Sequence, residues 1–115
     1  DIQPLGLGSN GHVAFNEPGT PFGCGTHVVE LAESTVRDNA RLFDDISEVP
    51  RKAFTMGIKQ IMQAKKILIL ASGANKADAV YRMVKGEVTE SIPASVLQLH
   101  PDCILIADQE AAAKL

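Results

Sequence analysis

Cysteine is scarce in this chain: its 115 residues hold two, Cys24 and Cys103, far apart and outside any C-x-x-C pattern. Such a pair makes neither a disulfide framework nor a zinc cage, so both read as free thiols, Cys103 as a core residue of an apolar strand. Long apolar runs are missing too, and the first residues lack the basic and apolar regions of a signal peptide. A soluble cytoplasmic protein is the expectation. Positive charge is not in excess, the formal net charge being −3 with lysines and arginines dispersed, so neither nucleic acid nor an anionic membrane is expected as a partner. No internal repeat, low-complexity tract or linker interrupts the chain, which reads as one α/β domain over residues 1–115.

What is present alternates. Ile2 to Leu7 reads as a buried strand, Thr26 to Leu31 as a second, and Ser34 can cap a helix running to about Phe43. After a polar connection over Asp44 to Val49, Pro50 opens a predicted helix reaching Lys65 or Lys66. Ile67 to Ala71 is a continuous apolar strand, followed by a helix with a stripe of Ala77, Val80, Tyr81 and Val84 and a stop at Gly86. A short helix from Ser91-Ile92-Pro93 to about Leu99, a strand from Cys103 to Ala107 and a last helix from Gln109 complete the order. This pattern implies a three-layer α/β/α architecture, a mostly parallel Rossmann-like open sheet with helices on both faces. Few strands are supplied for such a sheet, so the chain is expected to be part of a larger domain.

The chemistry concentrates in the loop after the first strand, where Leu5 to Pro18 read L-G-L-G-S-N-G-H-V-A-F-N-E-P. Its glycines let the backbone turn sharply and approach a ligand, delivering Asn10, His12, Asn16 and Glu17 to a strand end, where ligands sit in open α/β sheets. Gly6-x-Gly8-x-x-Gly11 also fits the dinucleotide fingerprint. Pro18, Gly19, Pro21, Gly23 and Gly25 leave no room for the helix that motif requires, so a nicotinamide or flavin site is rejected. By itself a single loop histidine is ordinarily bonded to backbone, and Glu17 could be a solvated acid or a helix cap.

A second feature is the turn Ala71-Ser72-Gly73-Ala74-Asn75-Lys76, where a buried strand enters a helix with a lysine in its first turn. Free backbone N–H groups, the helix dipole and Lys76 suit an anion, although a capped helix with a solvated lysine explains the turn equally well. Arg37 and Arg41 share one helix face, an arrangement most often solvated.

Together, G-x-N-G-H-V-A-F-N-E-P-G at Gly8 to Gly19, T-H-V-V-E-L, S-T-V-R-D-N-A-R-L-F, E-V-P, A-S-G-A-N-K-A and L-Q-L-H-P resemble the glucosamine-6-phosphate deaminase family, over about its C-terminal half. The resemblance implies ring opening of an amino-sugar phosphate, proton transfer from C2 to C1 and release of ammonia, without metal or redox cofactor. It implies His12 as the ring-opening acid/base, Glu17 as the group that fixes its tautomer and favours its charge, and Arg41 and Lys76 as phosphate ligands; Arg37 is not carried over. Asn10 stands where other members carry aspartate, and an amide can orient but cannot take a proton. The general base at C2 is expected outside these residues.

The resemblance further implies a mobile lid over the segment carrying Arg41, and it allows a homo-oligomer. Where some members carry an allosteric site for an N-acetylated sugar phosphate, this chain has His27 and Val29, so little activation of that kind is expected. His27 and His100 read as structural. Three other functions stay open: a galactosamine-6-phosphate deaminase/isomerase, a 6-phosphogluconolactonase-like esterase, and a noncatalytic phosphosugar-binding chain.

Overall fold

The computed structural model describes residues 1–115. Strand β1 (Ile2–Gly6), β4 (Lys66–Ala71) and β5 (Cys103–Ala107) form a parallel three-stranded sheet in the order β1-β4-β5. Register places Leu5 beside Ile69 and Ile69 beside Leu105, so apolar side chains line up across one face. Ile67 and Ile69 are fully buried there against Ile58 and Ile61 of helix α2 (Ile58–Gln63) and Ala79, Val80 and Met83 of helix α3 (Ala77–Lys85). The crossovers β1 to β4 and β4 to β5 step along the sheet in one direction, and right-handed connections then lay both helices on the same side. The expected helices are therefore found on one face. On the other, Ile2, Leu70, Ile104 and Ile106 remain exposed.

The sequence reading of one helix from Pro50 is corrected. Strand β3 (Lys52–Thr55) occupies its first part and pairs antiparallel with β2 (His27–Glu30), Val28 opposite Phe54 and Glu30 opposite Lys52. A lone β2 would leave its backbone groups unpaired, and Lys52 to Thr55 supply the partner at the period of two that a strand requires. Phe54, which fitted the apolar helical pattern, is 80% exposed. Helix α2 starts only after Gly57, where a Cβ would overlap the backbone of Cys24 and Gly25.

Smaller shifts follow from local chemistry. Helix α1 (Glu33–Asn39) begins after Ala32 with no side-chain cap, so Ser34 lies inside its first turn, and the chain continues as a 3-10 turn over Ala40–Leu42. A further 3-10 turn, Ile46–Glu48, sits within the polar connection, with the Asp45 carboxylate accepting the Ser47 N–H. The buried stripe of α3 is Ala77, Ala79, Val80 and Met83, whereas Tyr81 and Val84 are exposed, a rotation of the predicted face toward the core shared with Pro93–Leu99. Pro93–Leu99 is a 3-10 helix and residues 109–115 form turns rather than a helix. Cys24 and Cys103 are free; Cys103 is half-buried against the core and burial raises its thiol pKa. No helix is long and apolar enough to cross a membrane.

Ile69 is the centre of this sheet, fully buried on the middle strand. Ile69→Ala is expected to lower unfolding free energy by about 2–5 kcal/mol, measured by urea denaturation, because a deleted buried side chain leaves a cavity as well as losing its transfer energy. A change below about 0.5 kcal/mol would show the sheet is not the stabilising core.

Candidate active site

Because β1 and β4 are parallel neighbours, Gly6 lies beside Leu70 and the loops that leave both strands emerge side by side. The β1 loop closes tightly through Gly8 N–H to the His12 carbonyl (3.0 Å) and Gly11 N–H to the Gly8 carbonyl (2.9 Å). Gly8 is required because a Cβ there would overlap the His12 ring, and Gly11 sits at φ +89° against Ile92. Ala94 N–H donates to the Gly11 carbonyl, and Glu90 receives Gly19 N–H and Phe22 N–H, so the loop is fastened from the far side too. No helix follows Gly11 until Glu33, which agrees with rejecting the dinucleotide fingerprint.

His12 Nδ1 is 2.7 Å from Asn10 Oδ1, which also accepts the His12 backbone N–H at 3.1 Å. Asn10 Nδ2 donates to Glu17 Oε2 at 2.9 Å. These partners fix the amide from both ends, since a backbone N–H can only donate and a carboxylate only accept. The oxygen of Asn10 therefore faces the imidazole, Nδ1 carries the hydrogen, and Nε2 is left with a lone pair. Glu17 itself is 3.6 Å from Nδ1 and governs the tautomer through Asn10 rather than by direct contact. Its other oxygen, Oε1, accepts the Thr35 hydroxyl at 2.6 Å.

Burial and charge set the state of the ring. The His12 pKa lies below 6.5, because burial outweighs the raising influence of Glu17; Lys76 lowers it further and Asp38 raises it. Glu17 favours the charged form of the imidazole, but burial prevails. At neutral pH the free ring is neutral and basic at Nε2.

His12, Arg41 and Lys76 line one open cavity of about 520 Å³, together with Thr35, Asp38 and the backbone of Gly6 to Gly8. Only two of the twelve lining residues are hydrophobic, as befits a charged, hydroxylated ligand. Lys76 Nζ donates to the Leu7 carbonyl at 2.6 Å and Arg41 Nη1 to the Asp38 carbonyl at 2.8 Å, which hold both cations at the rim. In the turn after β4, where the sequence leaves an anion cradle and a plain capped helix equally open, Gly73, at φ +94°, gives its N–H to the Asp108 carboxylate. Cationic side chains, and not that amide, are what the cavity offers an anion.

Asn16 and Phe15 are structural, the buried Asn16 amide donating to the Val13 and Met56 carbonyls and Phe15 N–H to Thr55 Oγ1. His27 Nδ1 donates to the Gly25 carbonyl, and His100 bridges the Ala64 carbonyl and Asp102 N–H. Thr35 and Asp38 are the site residues that sequence reasoning missed. Neither belongs to the loop motif, and only their positions six and three residues before Arg41 could have placed them on the same side of the cavity.

A parallel open sheet with a polar cavity at its carboxyl edge, lined by an arginine and a lysine, defines an open-sheet α/β protein. The chain belongs to the glucosamine-6-phosphate isomerase/6-phosphogluconolactonase family, whose model matches residues 1–105. It is 63% identical over all 115 residues to a glucosamine-6-phosphate deaminase of Lactobacillus johnsonii, covering 48% of that protein. It superimposes with a TM-score of 0.97 and 52% identity on a monomeric glucosamine-6-phosphate deaminase, covering 48% of that chain. A 6-phosphogluconolactonase from Trypanosoma brucei is more distant, with a TM-score of 0.74 and 25% identity over 42% of its length. The chain thus spans about half the length of the relatives it matches.

Two substitutions should move the His12 titration in opposite directions. Glu17→Gln removes a raising charge and lowers the pKa further, whereas Lys76→Met removes a lowering charge and raises it. NMR titration of the imidazole checks both; shifts of the same sign would contradict the assignment of these two neighbours.

Proposed function

We propose that the protein containing these residues is a glucosamine-6-phosphate deaminase acting in the cytoplasm, converting its substrate with water to fructose 6-phosphate and ammonia. The observation that carries this reading is one cavity holding a neutral imidazole with a free Nε2 beside an arginine and a lysine. The deaminases at 63% and 52% identity support it.

In this reading His12 Nε2 takes the proton of the anomeric hydroxyl and returns it to the ring oxygen as the C1–O5 bond breaks. A neutral imidazole with a lowered pKa is in the right state to accept that proton and, once protonated, acidic enough to release it within the same step. Arg41 and Lys76 grip the 6-phosphate, so that binding energy far from the reaction fixes C1 and C2. A base outside these residues removes the C2 proton, C1 is protonated, and water displaces nitrogen at C2. No metal or redox group enters these steps.

The segment proposed as a lid divides in two. Thr35 and Val36 are buried and hold α1 in place, whereas every residue from Arg41 to Glu48 is exposed. Closure is therefore assigned to the stretch after Asn39, moving Arg41 onto the phosphate. His27, already engaged within its own loop, supports the expectation of little activation by N-acetylglucosamine 6-phosphate.

The test is ammonia release by the whole protein from glucosamine 6-phosphate, with galactosamine 6-phosphate and 6-phosphogluconolactone as competing substrates. His12→Ala is expected to lower kcat by about 10²–10⁴-fold. Arg41→Ala should raise KM roughly ten- to hundredfold, as loss of a charge-assisted phosphate contact dictates. Preferred hydrolysis of the lactone, or an unchanged KM in the arginine variant, would refute the respective assignments. The 115 residues alone should release ammonia only at background; turnover by them would place the C2 base within this chain.

A further inference from the structure

We propose that Thr35 is a positioning residue for the acid/base couple: by donating to Glu17 it locks Glu17, Asn10 and His12 into the single hydrogen-bond polarity that leaves Nε2 free. The inference rests on the deaminase reading of the cavity and adds to it a residue of another element.

Thr35 lies in α1, is 2% exposed, and its hydroxyl lies 2.6 Å from Glu17 Oε1. Glu17 is itself largely buried, its side chain 13% exposed, so each of its oxygens needs a donor. Oε2 has Asn10 Nδ2 and Oε1 has Thr35. Without the hydroxyl, the carboxylate is free to rotate toward His12, and the amide then loses the acceptor that sets its orientation. A flipped Asn10 would offer His12 Nδ1 an N–H, forcing the hydrogen onto Nε2, the wrong tautomer for accepting the anomeric proton. Helix α1 gains a second task from this contact. Asn39 Nδ2 donates to the Thr35 carbonyl, one turn before the segment that carries Arg41, so a single helix anchors the couple at one end and the phosphate-facing arginine at the other.

The experiment compares the whole protein with Thr35→Val, which keeps shape and removes the hydroxyl, and Thr35→Ser, which keeps the donor. Thr35→Val should lower kcat roughly tenfold while KM for glucosamine 6-phosphate changes less than about twofold. Its acid limb in kcat/KM should move to higher pH, because a carboxylate deprived of its donor raises the His12 pKa more strongly, with Lys76 and Asp38, the other charges facing the ring, unchanged. Thr35→Ser should restore the wild-type rate and profile. Thr35→Ala makes the same comparison should the valine variant fold poorly. Wild-type kcat and profile in the hydroxyl-less variants, or equal losses in Ser and Val, would overturn the proposal. An inactive wild type would instead refute the deaminase reading on which it rests.

Discussion

The 2.7 Å hydrogen bond between His12 Nδ1 and Asn10 Oδ1 decides what the site can do. It places the imidazole hydrogen on the inner nitrogen and turns the outer one, with its lone pair, to the cavity. The bond is held because Asn10 has no freedom to flip: a backbone N–H and a carboxylate grip its two ends. An amide at this position gives the site a directional relay, since it has one donating and one accepting end where a carboxylate would have only acceptors. The depressed His12 pKa belongs to the same design. Burial keeps the ring neutral, and Glu17, one group removed, compensates only part of that effect.

Sheet topology supplies the other half of the site. Two parallel strands in adjacent positions end at the same level, so the histidine loop and the lysine turn emerge together without any long-range contact having to select them. Lys76 confirms the closeness by bonding the Leu7 carbonyl at the end of β1. Arg41 arrives by a different route, on the exposed continuation of α1, and its place depends on Thr35 and Val36 being buried beneath it. The histidine and the lysine are thus set on strand ends and the arginine on an exposed surface segment.

The apolar runs Ile67 to Ala71 and Cys103 to Ala107 made the parallel sheet legible in sequence, and the G-H-V-A-F-N-E-P loop made the site legible, because strand burial and glycine-dependent turns are local properties. Lys52 to Thr55 misled because Lys-Ala-Phe-Thr satisfies a helical apolar pattern as well as a strand, and only the need of β2 for a partner decides between them. The stripe of α3 differs for a similar reason: Tyr81 and Met83 are both plausible core residues, and packing into the core shared with Pro93–Leu99 chooses. Thr35 was invisible because a threonine in a helix carries no sign of a carboxylate eighteen residues earlier. Glu17 raises the His12 pKa and burial lowers it further than that, and burial is what no motif reports.

The central claim is the tautomer of His12. Long-range ¹H–¹⁵N correlation NMR of the imidazole in the whole protein, at a pH above its titration, reports which nitrogen carries the hydrogen. The account requires a protonated Nδ1 and a bare Nε2; a spectrum with the hydrogen on Nε2 would contradict it.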